Sequence, residues 1–497
     1  MPALAPKADW INGDKFDTQG CRAKSNDGVT MLTAEGAGEG FCGHTGIYDD
    51  PRSRQPVAGD TRATVWLFTI NGQRYPDITV SAGQSELWRV ANLSATVTYV
   101  IDLVDANGTR QDLHLVTLDG VVAGSPDPRK AGHSKIGVKL QQLLLMPASR
   151  AEILIQNTAA GGADRSLTLR TEGIETAGTD QKDKSAADYV GDPWPAVKLA
   201  QVTLKGASQA GPLESLLDVA LPDRSAELGG AAELRLARRA ANPAVPPNCV
   251  VLPDRNYRRR ITFAQTDADF RLGSDVVNAD GQSIDDPASN DRPHTIDPQI
   301  FSHALPPEAV RHICPRFGET EVWELVNSTP ELHNFHIHQS KFRLADSHDP
   351  GAPPGLTVET AWRDPGRVVI GQIADLQTVR PVNKVDVWHD TIPIPPRDKL
   401  GNPGVVFVAI PFRAREQIGT YVFHCHILEH EDGGMMATVQ VFDPLQWSSV
   451  IPPVRAAQSA NTEFCGAPPA ELTDANRKPT AMSLFTSILT RLAAVGQ

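Results

Sequence analysis

Two stretches of this chain spell the same strand. Ile78 to Ser94 aligns without a gap to Ile313 to Thr329, matching Gly83 with Gly318, Glu86 with Glu321, Trp88 with Trp323 and Asn92 with Asn327. A glycine turn followed by an alternating strand with an inward tryptophan is a sandwich-core pattern, so one β fold is used twice. Around each copy the chain runs in short strand-like segments separated by turns: WLFTING, DITVSAG, ELWRVANLS and TVTYVIDLV in the first block, and comparable runs in the second.

The resulting expectation is an all-β chain of two Greek-key sandwiches. An irregular segment (1–59) precedes the first block (60–205), a partly helical, proline-interrupted linker (206–258) joins it to the second (259–445), and a tail (446–497) follows. The tail ends in TAMSLFTSILTRLAAVG, whose Met482, Leu484, Phe485, Ile488, Leu489, Leu492 and Ala493 fall near one helical face and are expected to dock on the body.

The net charge of -12 carries no long basic run, which excludes a phosphate-backbone footprint. No apolar stretch approaches the ~20 residues of a membrane-spanning helix, and MPALAPKADW has no secretory pattern. Six cysteines, at 21, 42, 249, 314, 425 and 465, form no CxxC pair, which disfavours a zinc ribbon. Cys21 with Cys42 is the loop disulfide that spacing suggests.

The register of the repeat isolates the chemistry. Where the second copy has His333, His336 and His338, the first has Thr98, Ile101 and Leu103, so the scaffold itself does not require histidine there. Six of the fourteen histidines lie in HNFHIH (333–338) and HCHILEHEDGGMM (424–436), both in strand-like sequence. Side chains alternate faces along a strand, so His336 and His338 share a face that His333 does not, and Cys425 points away from His424 and His426. Two metal sites on opposite sides of one strand pair follow. Past the second strand, His430 and Met435 complete the first site with His333 and Cys425: two imidazoles, a thiolate and a soft thioether, the ligands of a blue-copper centre. The other site is all imidazole.

HxxHxH followed by HCHxxxHxxxxM resembles the paired signature of multicopper oxidases of the laccase kind. The second block is similar to the last cupredoxin domain of that family, and the first, with FTINGQ and LWRVANLS, to its middle domain. The resemblance implies type 1 copper at His333, Cys425, His430 and Met435, and trinuclear-cluster copper at His336, His338, His424 and His426. It implies a small-molecule donor, phenol or aromatic amine in type given only six methionines, that meets exposed His430 or His333 and gives electrons one at a time. These would pass through Cys425 to the cluster, where four reduce O2 to water. Glu431 would relay protons. Asn334 and Gln339 depart from the family's usual Pro and Gly, and WHDTIPIPP (388–396), similar to a stretch of the relatives, reads as structural.

The family's cluster uses eight histidines in four pairs, of which two pairs are present here. His44, His114, His133, His294, His303, His312, His348 and His389 are isolated. A further domain or a separate polypeptide is therefore expected to supply two HxH pairs, and a periplasmic or extracellular location would follow from a leader upstream. The competing expectation is a blue-copper electron-transfer protein that reduces no oxygen.

Overall fold

The computed structural model describes residues 3–6, 23–24, 31–32, 64–73, 75–126, 134–178, 193–194, 197–219, 245–266, 269–302, 310–370 and 388–444. These residues are almost entirely strand, turn and loop, and each block is a sandwich of two sheets.

In the first sandwich the strands are β1 (Asp77–Val80), β2 (Ser85–Ala91), β3 (Tyr99–Val104), β4 (Leu113–Leu118), β5 (Val138–Leu140), β6 (Leu143–Leu145), β7 (Arg150–Gln156), β8 (Arg165–Glu172) and β9 (Val197–Leu204). One sheet has the order β5-β4-β7-β2 and the other β6-β3-β8-β9-β1. β8 alternates as a half-buried strand does, β3 and β6 are buried along almost their whole length, and Val197, Leu199, Val202 and Leu204 of β9 are buried in the core.

The second sandwich is built from β10 (Cys249–Val250), β11 (Arg258–Gln265), β12 (Phe270–Val277), β13 (Ile296–Gln299), β14 (His312–Ile313), β15 (Thr320–Asn327), β16 (His333–Ile337), β17 (Arg343–Leu344), β18 (Thr391–Ile394), β19 (Gly404–Pro411), β20 (Gly419–Cys425) and β21 (Met436–Val441). Its sheets run β10-β14-β21-β20-β16-β18 and β13-β12-β11-β15-β19-β17. Some chain neighbours pair directly, as β11 with β12 and β20 with β21, while others lie apart, and β9 with β1 and β11 with β15 pair in parallel, so the remaining connections cross between sheets as in a Greek key.

The internal repeat is physical. Gly83 and Gly318 both turn with positive φ, 65° and 92°. In each copy the tryptophan indole donates to the glutamate two residues earlier at 3.0 Å, Trp88 to Glu86 and Trp323 to Glu321. Asn92 and Asn327 then cap the same turn, each accepting the backbone N–H two residues on, from Ser94 and Thr329. Both asparagine Nδ2 groups tie that turn to a neighbouring strand.

The copies differ in their ionic cores. Glu321 is 3% exposed and pairs bidentately with fully buried Arg259, whereas Glu86 is half-buried.

Residues 220–244 of the expected linker lie outside the described residues. Within 206–258 helix is confined, among the described residues, to one turn, Glu214–Leu217, and Cys249–Val250 adds an edge strand to the second sandwich. Cys249 is disulfide-bonded to Cys314, holding that edge strand to β14, a pair that spacing did not reveal because it is 65 residues apart. Cys21, Cys42 and the helical tail lie outside the described residues.

Candidate metal centres

The asparagine turn at 327 positions the first ligand. Asn327 Oδ1 accepts the Thr329 hydroxyl, and Thr329 Oγ1 lies 2.8 Å from His333 Nε2, so Nδ1 is the nitrogen left for other work. From there β16 runs antiparallel to β20, pairing Phe335 with Cys425 and His336 with His424. Odd and even positions therefore separate onto opposite sides. On the core side Phe335 and Phe423 pack around Trp323. Beyond the strand ends, His338 N–H donates to Val422 and His426 N–H to Asn334, which continues the pairing through both terminal histidines.

The sulfur site closes through the Gly-Gly turn. After the helical turn Leu428–Asp432, Gly434 takes φ +102°, and Met435 donates its N–H to His430 while its carbonyl accepts Cys425 N–H. Met435 is thereby folded back beside the site and is fully buried. His333 Nδ1 and His430 Nδ1 are 3.0 Å apart, and Cys425 Sγ is 3.7 Å and 3.4 Å from them. Ligand atoms in a trigonal plane about one ion stand about 3.4–3.8 Å apart at ordinary metal–N and metal–S lengths, so this donor set fits a metal of copper's size with little adjustment.

Asn334 adds a contact that proline cannot make, its N–H donating to Cys425 Sγ at 3.3 Å. Gln339 adopts φ 52°, the left-handed backbone for which glycine is the ordinary choice.

The imidazole site lies on the other side. His338 Nε2 and His424 Nε2 face each other at 3.2 Å, close to the ~3.3 Å separation of two nitrogens on one tetrahedral ion. His336 and His426 close the group, with ring centroids 5.2 Å apart and each just over 5 Å from His424. Glu431 Oε2 is 3.2 Å from His424 Nδ1. His338 is exposed and His336 and His426 half-buried, so this group opens to solvent.

Electrostatics suit ligands that bind in the neutral form. Burial, reinforced by His430, holds His333 well below the usual histidine range, and burial takes His336 down to about 3. His338 and His426 are lowered chiefly by burial. His430 goes the other way: burial pushes it down, but the charges of Cys425 and then Glu331 raise it to about 10. Its Nε2 is 3.6 Å from Glu331 Oε2, too long for a hydrogen bond and close enough for attraction. Burial raises Glu431, yet its bond to His424 and the surrounding imidazoles bring it below the ordinary carboxyl value.

All eight predicted ligands and Glu431 thus lie in two adjoining groups. One expectation is corrected: His333 and His430 are both 0% exposed, because Phe263 stacks near His333 and Phe270 covers His430 with ring centroids 4.3 Å apart. Residues that sequence reasoning passed over are Thr329, Glu331, Phe270 and the Asp390–Thr391 pair. Only WHDT carried a signal.

Residues 278–444 match the multicopper oxidase family. Among curated relatives, a laccase from Bacillus subtilis (strain 168) is 32% identical over 130 residues, 26% of this chain and 22% of the relative. Multicopper oxidase LPR1 homolog 1 from Oryza sativa subsp. japonica is 31% identical over 140 residues, 26% of this chain and 23% of the relative. Among solved structures, a multicopper oxidase from Campylobacter jejuni, titled a metallo-oxidase, aligns at TM-score 0.40 and 18% identity, over 75% of this chain and 56% of that one. The matched part of the chain spans about a quarter of the length of these curated relatives. Multicopper oxidases are oxidoreductases that imply copper, and both histidine groups of this chain fall within the matched residues.

Proposed function

We propose that this chain is the copper-bearing part of a laccase-like oxidase that takes electrons singly from a phenol or aromatic amine and delivers them to O2. The observation that carries the reading is the buried triangle of Cys425 Sγ, His333 Nδ1 and His430 Nδ1, with edges of 3.0 to 3.7 Å. In this reading His333, Cys425, His430 and Met435 hold a type 1 copper, and His336, His338, His424 and His426 hold copper of a trinuclear cluster. Bound copper would supply one-electron redox chemistry and, at the cluster, a place for oxygen to be reduced to water.

The chain's own residues do the rest. Thr329 keeps His333 turned with Nδ1 inward, and Asn334 N–H steadies the thiolate. The peptide units on either side of Cys425 join the sulfur directly to His424 and His426, the shortest covalent route between the groups. Glu431, an ionised carboxylate 3.2 Å from His424 Nδ1, would accept a proton transiently and pass it on beside the cluster. With Phe270 stacked on buried His430, a donor would meet the cover over this site and not the imidazole itself.

The sequence has HxH pairs only at 336/338 and 424/426, so a further domain or polypeptide supplies the other cluster ligands, and the two sandwiches act as the metal-free and metal-bearing domains at 60–205 and 259–445. That same count favours the second reading, a blue-copper electron carrier that leaves oxygen untouched.

Copper loading of the chain and of Cys425→Ser tests the proposal. An intense visible thiolate-to-copper band in the parent and none in the variant is expected; a colourless parent overturns it. Oxygen uptake that appears only when a domain with two HxH pairs is added supports the oxidase. Blue protein that stays inert with that domain supports the carrier.

A further inference from the structure

The segment WHDT has a chemical task. Its strand β18 pairs with β16, placing Thr391 opposite His336. In the metal-free sandwich the corresponding pair, Leu143 opposite Ile101, is wholly apolar. Histidine and its hydroxyl partner therefore replace two hydrocarbons together at one register position.

The hydrogen bonds there have a fixed sense. His336 Nδ1 lies 3.0 Å from the Asp390 carbonyl oxygen and 2.9 Å from Thr391 Oγ1. A carbonyl only accepts. The Thr391 hydroxyl is itself spent as a donor to Asp390 Oδ1 at 3.0 Å, so toward the imidazole it too only accepts. Both partners demand a proton on Nδ1, which leaves the His336 lone pair on Nε2, the state a metal ligand needs.

The carboxylate that aims the hydroxyl is gripped from the other sandwich. Arg150 donates Nη1 to Asp390 Oδ1 at 2.9 Å and Nη2 to Oδ2 at 2.7 Å, while Lys341 also bonds Oδ2. Asp119 accepts the backbone N–H groups of both Arg150 and Asp390, closing the bridge. Burial raises Asp390, but the Arg150 and Lys341 bonds and charges more than reverse this and keep it ionised.

We infer that Arg150, Asp390 and Thr391 form a positioning chain by which the metal-free sandwich fixes the Nε2-ligating tautomer of His336. The inference rests on the reading of His336 as a cluster ligand, and it assigns the first sandwich a part in the site although that sandwich holds no ligand of its own.

Two measurements test it, one without metal. Long-range 15N NMR of the metal-free chain is expected to show His336 as the Nδ1–H tautomer. Thr391→Val and Arg150→Met are expected to bring in the other tautomer, and Thr391→Ser to retain the parental one. In the copper-loaded chain, Thr391→Val is expected to weaken copper at the four-histidine group about 10- to 100-fold, as loss of an imidazole's outer partner does. The thiolate-to-copper band of the Cys425 site should stay unchanged, which reports an intact fold. An unaltered tautomer and unaltered affinity in both variants would overturn the inference. Copper absent from the four-histidine group of the parent would instead overturn the ligand reading, and the NMR result stands apart from it.

Discussion

The buried ion pair in the second sandwich gives a quantitative test of how the two copies diverged. Glu321→Met leaves the Arg259 guanidinium, 0% exposed, without its counter-charge, and strips the Trp323 indole N–H of its acceptor. Breaking a buried pair from one side costs about 3–5 kcal/mol, and an orphaned buried N–H about 1–2 kcal/mol, so the variant should lose about 4–7 kcal/mol. A loss of that size is a large part of a domain's typical ~5–15 kcal/mol. Replacing both partners, Arg259→Leu with Glu321→Met, removes the uncompensated charge and should recover most of the loss. The other copy supplies the control. Glu86 makes the same indole bond while half-buried, so Glu86→Met should cost about 1 kcal/mol. Equilibrium urea unfolding of the parent, the two single variants and the double variant measures all of this. The reasoning fails if Glu321→Met costs no more than Glu86→Met, or if the double variant is as unstable as Glu321→Met alone.

Acid sensitivity follows from His389, which burial lowers from 6.5 to about 3. The unfolded chain binds this proton first as pH falls, so stability drops between pH 6.5 and 3, by about 3 kcal/mol at pH 4; His389→Phe should lose that much less between pH 7 and 4 in urea titrations at both values. Asn334→Pro removes the N–H that draws electron density from Cys425 Sγ, which should favour oxidised copper and lower the reduction potential followed through the visible band, whereas Asn334→Ala should leave it unchanged. Phe270→Ala uncovers His430 and should raise kcat/KM for bulky phenols roughly tenfold relative to a small inorganic donor, worth ~1.4 kcal/mol; an unchanged ratio in steady-state assays would show that Phe270 does not govern access.

Much of this was legible in the residue order. The repeat of Gly, Glu, Trp and Asn foretold a β fold used twice, to which the structure adds matching indole–carboxylate hydrogen bonds, and strand parity alone separated Cys425 from His424 and His426. What stayed hidden depends on contacts remote along the chain. The Cys249–Cys314 bond needs two edge strands to meet, and the stacking of Phe270 on His430 needs β12 to lie over the Gly-Gly turn. The grip of Arg150 on Asp390 joins residues 240 apart, and nothing local to WHDT announces it.

β20 carries its chemistry in consecutive residues whose faces differ, which makes its alignment with β16 a digital quantity. A slip of one residue would thrust an imidazole into the buried pocket and the thiol among the solvent-facing rings, spoiling both centres at once. Colour in the copper-loaded chain is therefore also a gauge of correct strand alignment, and a misaligned molecule would declare itself by remaining pale.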